Sequence, residues 1–246
     1  MDRQVSCIRG RTSDRTAGAG EGAQALAERL GGTIVGEPGQ PAVRDWSEDL
    51  PAARPVLEAA AASVRDAFAA GALPVLTASD CSICIATLPE VVLHEPDVHV
   101  AWIDAHGDFN TPESTPSGFL GGMCLAASCG RWQAEGWPGT VDPRRLHLLG
   151  VRDLDPGEEA EVEAAGVSAE IPDDVPLYVH LDTDVLDPSV MAAQFPVPDG
   201  WDERRLRAQL AELAAGCRIV GVEITALEDL RAVELVAEAI QPLLLD

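Results

Sequence analysis

Five residues in two short segments could do chemistry together. In "VHVAWIDAHGDFNTP" (98–112) an apolar run ends in Asp104, His106 and Asp108, each two residues from the next. In "LYVHLDTDVLDP" (177–188) a second apolar run ends in Asp182 and Asp184 at the same spacing. Side chains at i, i+2 and i+4 of an extended chain share one face. Each segment therefore offers converging carboxylates, the first with an imidazole among them. A lone aspartate at a strand end is ordinarily a helix cap or a solvated loop residue. Two clusters that each close a buried strand are different, because an unpaired buried carboxylate is costly and only 17 Lys and Arg stand against 41 acidic residues. Two divalent cations would offset four such carboxylates. Oxygen ligands with one or two nitrogens suit Mn²⁺ better than a structural zinc. Adjacent cations can share a water and lower its pKa, giving hydroxide at neutral pH. The residues read as a hydrolase centre with two Mn²⁺ per chain.

Such a centre needs strands to deliver it. Apolar runs occur at 73–78, 98–104, 146–151, 177–182 and 217–225. They are continuous rather than alternating, as in a parallel sheet covered by helices on both faces. Helices are predicted at 22–30, 158–165, 202–215 and 230–244, and at 57–68, where Leu57, Ala60, Val64 and Phe68 share a face and Gly71 follows as a C-cap. Asp202 has the character of an N-cap, with Arg205 where a capping box would need Glu. The Gly- and Pro-rich stretch 31–55 reads as an irregular surface excursion. No repeat, low-complexity segment or composition shift divides the chain, so residues 1–246 read as one domain. In parallel sheets chemistry sits beyond the carboxyl ends of the strands. Asp80 and Cys81, Asp104 to Asp108, Asp153 and Asp155, Asp182 and Asp184, and Thr225 follow the five runs and would aim at one crevice.

The net charge of −24 argues against nucleic acid and anionic membrane as partners. The opening "MDRQVSCIRG" lacks the apolar core of a signal peptide, and no stretch is long enough to span a bilayer. The six cysteines form no small secreted framework and read as reduced thiols in a cytoplasmic protein. His94 and His147 read as structural or surface residues, and Trp102 as packing. His180 shares a strand face with Asp182 and reads as a satisfied core histidine, with a supporting place behind the ligands as the alternative.

The segments "DAHGDFN" and "DTDVLDP" resemble the DAHxD and DxDxxDP signatures of the ureohydrolases: arginase, agmatinase, formiminoglutamase and relatives. The likeness covers nearly the whole chain. It implies a three-layer α/β/α sandwich with a central, mostly parallel sheet. It implies that Asp104 and Asp182 bridge two metals, that Asp108 completes one ion's shell, and that His106 and Asp184 complete the other's. In the family mechanism a bridging hydroxide attacks the guanidino carbon, and the carboxyl at the Asp108 position protonates the leaving amine. "NTPESTPSG" and "VRDLDPGE" resemble arginases in particular. That implies an amino-acid substrate, its α-carboxylate held at Asn110 and Ser117 and its α-ammonium at Asp155 and Glu158, directly or through water. Taken alone, Asp155-Pro156-Gly157-Glu158 is a turn opening a helix. Agmatine, which has no carboxylate, is disfavoured.

Three departures qualify the resemblance. The family's GGDHS reads "ASDCS" here, which puts Cys81 at a histidine ligand position. A thiolate is a soft ligand that matches Mn²⁺ poorly, so Cys81 binds weakly, binds another metal or leaves one site depleted. Its bland alternative is a small buried side chain like Cys84. The family's proton-shuttling loop histidine falls at Gly121. Its guanidinium-pairing glutamate falls at Ala226, with Glu228 nearby but out of register. One branch resembles this chain in the cysteine substitution: the Nω-hydroxy-L-arginine amidinohydrolases of D-cycloserine biosynthesis. That implies cleavage of hydroxyarginine to hydroxyurea and L-ornithine. Arginase, formiminoglutamase and a degenerate member that only binds metal or amino acid remain the alternatives. Arginases often associate through a tail after the last helix. This chain stops at Asp246, within or just after that helix, so monomer and homo-oligomer both stay open.

Overall fold

The computed structural model describes residues 2–245. Seven strands form one sheet: β1 (Arg3–Arg9), β2 (Thr33–Gly36), β3 (Leu73–Ala78), β4 (His99–Ile103), β5 (Leu146–Leu149), β6 (Pro176–Asp182) and β7 (Arg218–Thr225). Their order is β2-β1-β3-β7-β6-β4-β5, and every pairing is parallel. All five predicted runs are strands, with ends moved by at most two residues. The runs are continuous in character because successive side chains feed two different cores. On β4, Val100 and Trp102 enter one cluster while Ala101 and Ile103 enter the other. Helices α2 (Trp46–Ala69), α3 (Cys84–His94) and α4 (Cys124–Ser128) cover the first face. Helices α1 (Gly18–Arg29), α6 (Glu203–Gly216) and α7 (Val233–Ala239) cover the second. This is the expected α/β/α sandwich. Helix α5 (Pro156–Ala165) follows β5 and packs Val162 and Ala165 against the first cluster. No described helix is long and apolar enough to cross a membrane.

The structure corrects the reading of 31–55 as an irregular excursion. Residues 33–36 form β2, and α2 begins at Trp46, eleven residues before the predicted start at Leu57. Asp45 caps α2 by accepting from the Ser47 amide at 3.0 Å. Pro51 and Pro55 lie inside the helix and remove two ladder bonds. Burial outweighs them: Leu50, Ala53, Leu57, Ala60, Val64 and Ala67 form one buried stripe. The predicted helix 230–244 is also broken, into a 3₁₀ turn, α7 and a second 3₁₀ turn that contains Pro242. Asp202 caps α6 as predicted, accepting from the Arg205 amide at 2.7 Å.

Topology selects where the chemistry can sit. From β3 the chain passes over to β4, and β6 and β7 later fill the space between them. The carboxyl ends of β3, β7, β6 and β4 therefore lie side by side at the switch in winding direction, the place where open α/β sheets form a crevice. Helix α1 presses on this region through Gly22. A Cβ there would lie 1.7 Å from the Leu227 carbonyl oxygen, so only glycine lets the helix approach the loop after β7.

Candidate metal centre and substrate cavity

One local device closes three of the four central strands. Asp80, after β3, accepts from the Ser82 amide at 2.9 Å. Asp104, after β4, accepts from the His106 amide at 2.7 Å. Asp182, at the end of β6, accepts from the Asp184 amide at 2.7 Å. Aspartate favours this turn because its short carboxylate reaches the amide two residues on. One oxygen of each carboxylate is held this way. The second oxygen of Asp104 accepts from Trp102 Nε1 at 3.1 Å, and that of Asp182 meets Cys81 Sγ at 2.9 Å. Asp108 has φ 51°, a left-handed conformation that aspartate tolerates better than most residues, and its carboxyl returns to the cluster.

All ten residues singled out in the sequence line one cavity of about 450 Å³: Cys81, Asp104, His106, Asp108, Asn110, Ser117, Asp155, Glu158, Asp182 and Asp184. His106 Nδ1 lies 3.1 Å from Asp184 and 3.4 Å from Asp104. Potential ligand atoms of Asp104, His106 and Asp184 fall within 4.8 Å of one another, and so do those of Cys81, Asp104 and His180. The two groups share Asp104. Among the described residues no Lys or Arg forms an ion pair with Asp104, Asp108, Asp182 or Asp184.

The electrostatics follow from that missing charge. Burial and the neighbouring Asp184 push Asp182 up to about 7. Burial and Asp104 push Asp184 up to about 6, and Asp108 well above the carboxylate range. Burial would lower the His106 imidazole, but the carboxylates of Asp104 and Asp184 hold it up at about 12. Protein alone leaves this set competing for protons. Cations resolve the conflict by ionising the acids and freeing the imidazole nitrogen, so the donor set fits two of them.

The Arginase family model matches residues 18–234 of this chain. The chain belongs to the arginase family. It is 40% identical over 236 residues to "N(omega)-hydroxy-L-arginine amidinohydrolase" of Streptomyces lavendulae, a match spanning 89% of this chain and 86% of that one. It is 40% identical over 115 residues to the arginase of Bacillus caldovelox, covering 45% of this chain and 38% of that one. Among solved structures, arginase from Bacillus subtilis superposes with a TM-score of 0.81 at 25% identity, covering 100% of this chain and 99% of that one. The chain is thus a hydrolase of a family that acts on guanidino groups, and the acidic crevice is its candidate centre.

At the other end of this arginase-family cavity, the residues expected at the amino-acid end are tied to one another. Glu158 closes a capping box on α5, accepting from the Asp155 amide at 3.1 Å and from the Phe109 amide at 2.7 Å. Burial pushes its carboxyl up to about 7. Asn110 Nδ2 donates to Asp155 at 3.0 Å, and Ser114 donates to Asn110 Oδ1 at 3.0 Å. The Asp155–Glu158 segment opens a helix, as a turn of this composition would, and it also lines the cavity. Glu158 has amide donors on both oxygens and is 4% exposed, which makes it a support for the Asn110–Asp155 wall. Ser117 lines the same cavity and accepts from the Phe119 amide at 3.2 Å.

The departures are also visible as geometry. A Cβ at Gly121 would lie 2.5 Å from the Phe119 ring, so a side chain fits there only if that ring moves aside. Ala226 is held at φ 58°, and the chain then turns Glu228 into the cavity, where Thr16 donates to its carboxylate. Cys81 and Cys84 stand in C-x-x-C spacing. Both are free; Cys81 faces the cavity, whereas Cys84 meets Ser128 at 3.5 Å in the core.

Other cavity residues escaped sequence reasoning. Phe119 and Phe195 face each other at 5.0 Å, with the Arg15 guanidinium 4.7 Å from the Phe119 ring centre. Arg15 and Phe195 lie in loops far apart in sequence, and no spacing signal links them. Arg152 secures the loop that carries Phe195, donating to the carbonyls of Asp184 at 3.2 Å and Val197 at 2.9 Å. Trp102 packs as expected but also donates to Asp104. His94 stacks on Phe68 at 4.6 Å, and His147 pairs with His99 at 2.8 Å, which fits their structural reading.

Proposed function

We propose that the chain is a manganese-dependent amidinohydrolase that converts Nω-hydroxy-L-arginine and water to hydroxyurea and L-ornithine. The convergence of ten predicted residues on one cavity, with two ligand groups meeting at Asp104, carries this reading. The relative from Streptomyces lavendulae supports the choice of substrate by its printed name. Residues 1–246 act as one cytoplasmic catalytic domain, a reading that the six free cysteines favour.

Asp104, His106, Asp108, Asp182 and Asp184 would hold two Mn²⁺, with Cys81 at the margin of one. Bound there, the pair would supply a water acidic enough to serve as hydroxide at neutral pH. The remaining work belongs to the chain. Asn110 and Ser117 receive the α-carboxylate, each with an N–H or O–H free to donate. Asp155, oriented by Asn110 and by the Glu158 box, receives the α-ammonium. The guanidino end then lies toward the acidic crevice, where Glu228 offers a carboxylate that Ala226 does not. Phe119 and Phe195 keep bulk water from the reacting carbon. Asp108, ionised with the ions in place, would take up a proton at its carboxyl oxygen and pass it to the departing ornithine nitrogen.

A substrate panel tests the proposal. Purified protein is assayed on hydroxyarginine, arginine, agmatine and formiminoglutamate, with and without added Mn²⁺. The expected result is ornithine and hydroxyurea from hydroxyarginine, dependent on metal, with arginine turned over more slowly. Equal or faster turnover of arginine would overturn the choice of substrate.

A further inference from the structure

We propose that His180 is itself a metal ligand, supplying through Nε2 the nitrogen that position 81, a cysteine, cannot give. The inference deepens the two-cation reading and rests on it.

A row of register partners crosses three adjacent strands. Trp102 on β4 stands opposite His180 on β6, and His180 opposite Glu223 on β7. The Trp102 and His180 rings stack at 3.6 Å with an interplanar angle of 2°. Glu223 Oε1 lies 2.8 Å from His180 Nδ1. The other Glu223 oxygen accepts from Thr87 Oγ1 at 2.7 Å and from the Tyr178 hydroxyl at 3.1 Å. With two hydroxyls already donating to it, the carboxylate acts as an acceptor throughout, so Nδ1 carries the proton. Nε2 is then left with a lone pair.

That lone pair faces the cavity side of the row. Nε2 lies 3.2 Å from Cys81 Sγ and 3.3 Å from Thr225 Oγ1. Together with Cys81 and Asp104 it forms one of the two close ligand groups of the chain's described residues. The arrangement is what metal-binding histidines require: one ring nitrogen aimed at the site, the other donated to a carboxylate that fixes tautomer and orientation. The same Trp102 that stacks on the ring donates to Asp104, so one indole sets two members of the group. A purely structural histidine needs none of this alignment with a thiol and a carboxylate. The resulting set of nitrogen, sulfur and oxygen is softer than the Asp104–His106–Asp184 group. It suits a borderline ion such as Co²⁺, Fe²⁺ or Zn²⁺ better than Mn²⁺. The two ion positions are therefore chemically unequal.

Cobalt titration of the metal-stripped full chain tests this, read by bound Co²⁺ per chain, the optical spectrum and X-ray absorption. Wild type is expected to bind two ions and to show one thiolate-to-cobalt charge-transfer band. His180→Ala is expected to weaken one ion by at least about 100-fold, because losing only the carboxylate partner of a ligand already costs about 10–100-fold. Its charge-transfer band should weaken with it. His180→Gln, which keeps a polar side chain in the core, should behave the same way and guards against misfolding. Glu223→Gln should weaken the same ion less. Asp184→Asn should weaken the other ion and leave the band in place. If His180→Ala and His180→Gln bind two ions with wild-type affinity and an unchanged band, the assignment of His180 is overturned while the two-cation reading stands. If wild type takes up no cobalt, both are overturned.

Discussion

The two ends of one parallel sheet handle charge in opposite ways. At the amino end, acids and bases come matched. Arg218 meets Glu95 at 2.8 Å, and Arg145 meets Asp97 at 2.9 Å. His99 and His147 stack with ring centres 5.2 Å apart, and burial, then nearby positive charge, lowers the pKa of each. At the carboxyl end, Asp104, Asp108, Asp182 and Asp184 are buried, and among the described residues no arginine or lysine forms an ion pair with them. β4 and the residue that follows it carry both patterns within six residues, from His99 to Asp104. The contrast teaches where to look for function: the matched end balances its own charge, and the unmatched end presents the donor groups that could hold cations.

The largest expected effect breaks the unmatched end. Asp182→Ala should lower kcat/KM by about 10²–10³-fold or more, since metal-assisted charge stabilisation is worth several kcal/mol. The same variant, stripped of metal, should melt no lower than stripped wild type, because one member of a like-charged cluster is gone. A metal-free variant that unfolds sharply would show that the cluster serves stability, and the contrast between the two ends would fail. Steady-state kinetics and calorimetry read both halves of this prediction.

A smaller effect probes the edge of the same end. Glu228→Gln should raise KM about 10–100-fold for arginine, consistent with loss of a charge-assisted hydrogen bond. The rise for hydroxyarginine should be smaller, because an N-hydroxyguanidine is less basic. Equal changes for the two substrates would remove Glu228 from the guanidino end.

The smallest effect belongs to the matched end and concerns stability alone. Burial and His99 push His147 down to about 4, below the ordinary value near 6.5. Between those values the unfolded chain binds a proton that the folded chain refuses, so stability falls as pH drops from about 6.5 toward 4. His147→Gln should flatten that fall by about 1 kcal/mol between pH 6.5 and 5, measured by denaturant unfolding. Metal content and kcat should not change.

Much of this contrast was legible in the sequence, for a physical reason. Asp104, His106 and Asp108, and then Asp182 and Asp184, follow one another two residues apart at the ends of apolar runs, so local spacing marks them as two clusters. The strands announced themselves because burial on both faces makes a run uniformly apolar. β1 did not: Arg3 and Arg9 flank a buried stretch of only four residues, Val5 to Ile8. Helix α3 was hidden because "CIATLPEVVLH" is apolar on most sides and contains Pro89, so no polar stripe marks its period. The start of α2 was hidden by its prolines. His180 is buried as a core histidine would be, but its partners Trp102 and Glu223 are set by strand order, which spacing does not carry. Glu228, Arg15 and Phe195 reach the cavity from separate loops, and only the folded chain brings them together.

The three aspartate turns at the ends of β3, β4 and β6 have a consequence for how the protein meets its ions. Each carboxylate is clamped by an amide of its own segment, so its direction does not depend on what it ligates. Stripping the centre should leave a vacant but intact receptacle. One kind of ion should then exchange for another without the chain passing through an unfolded state.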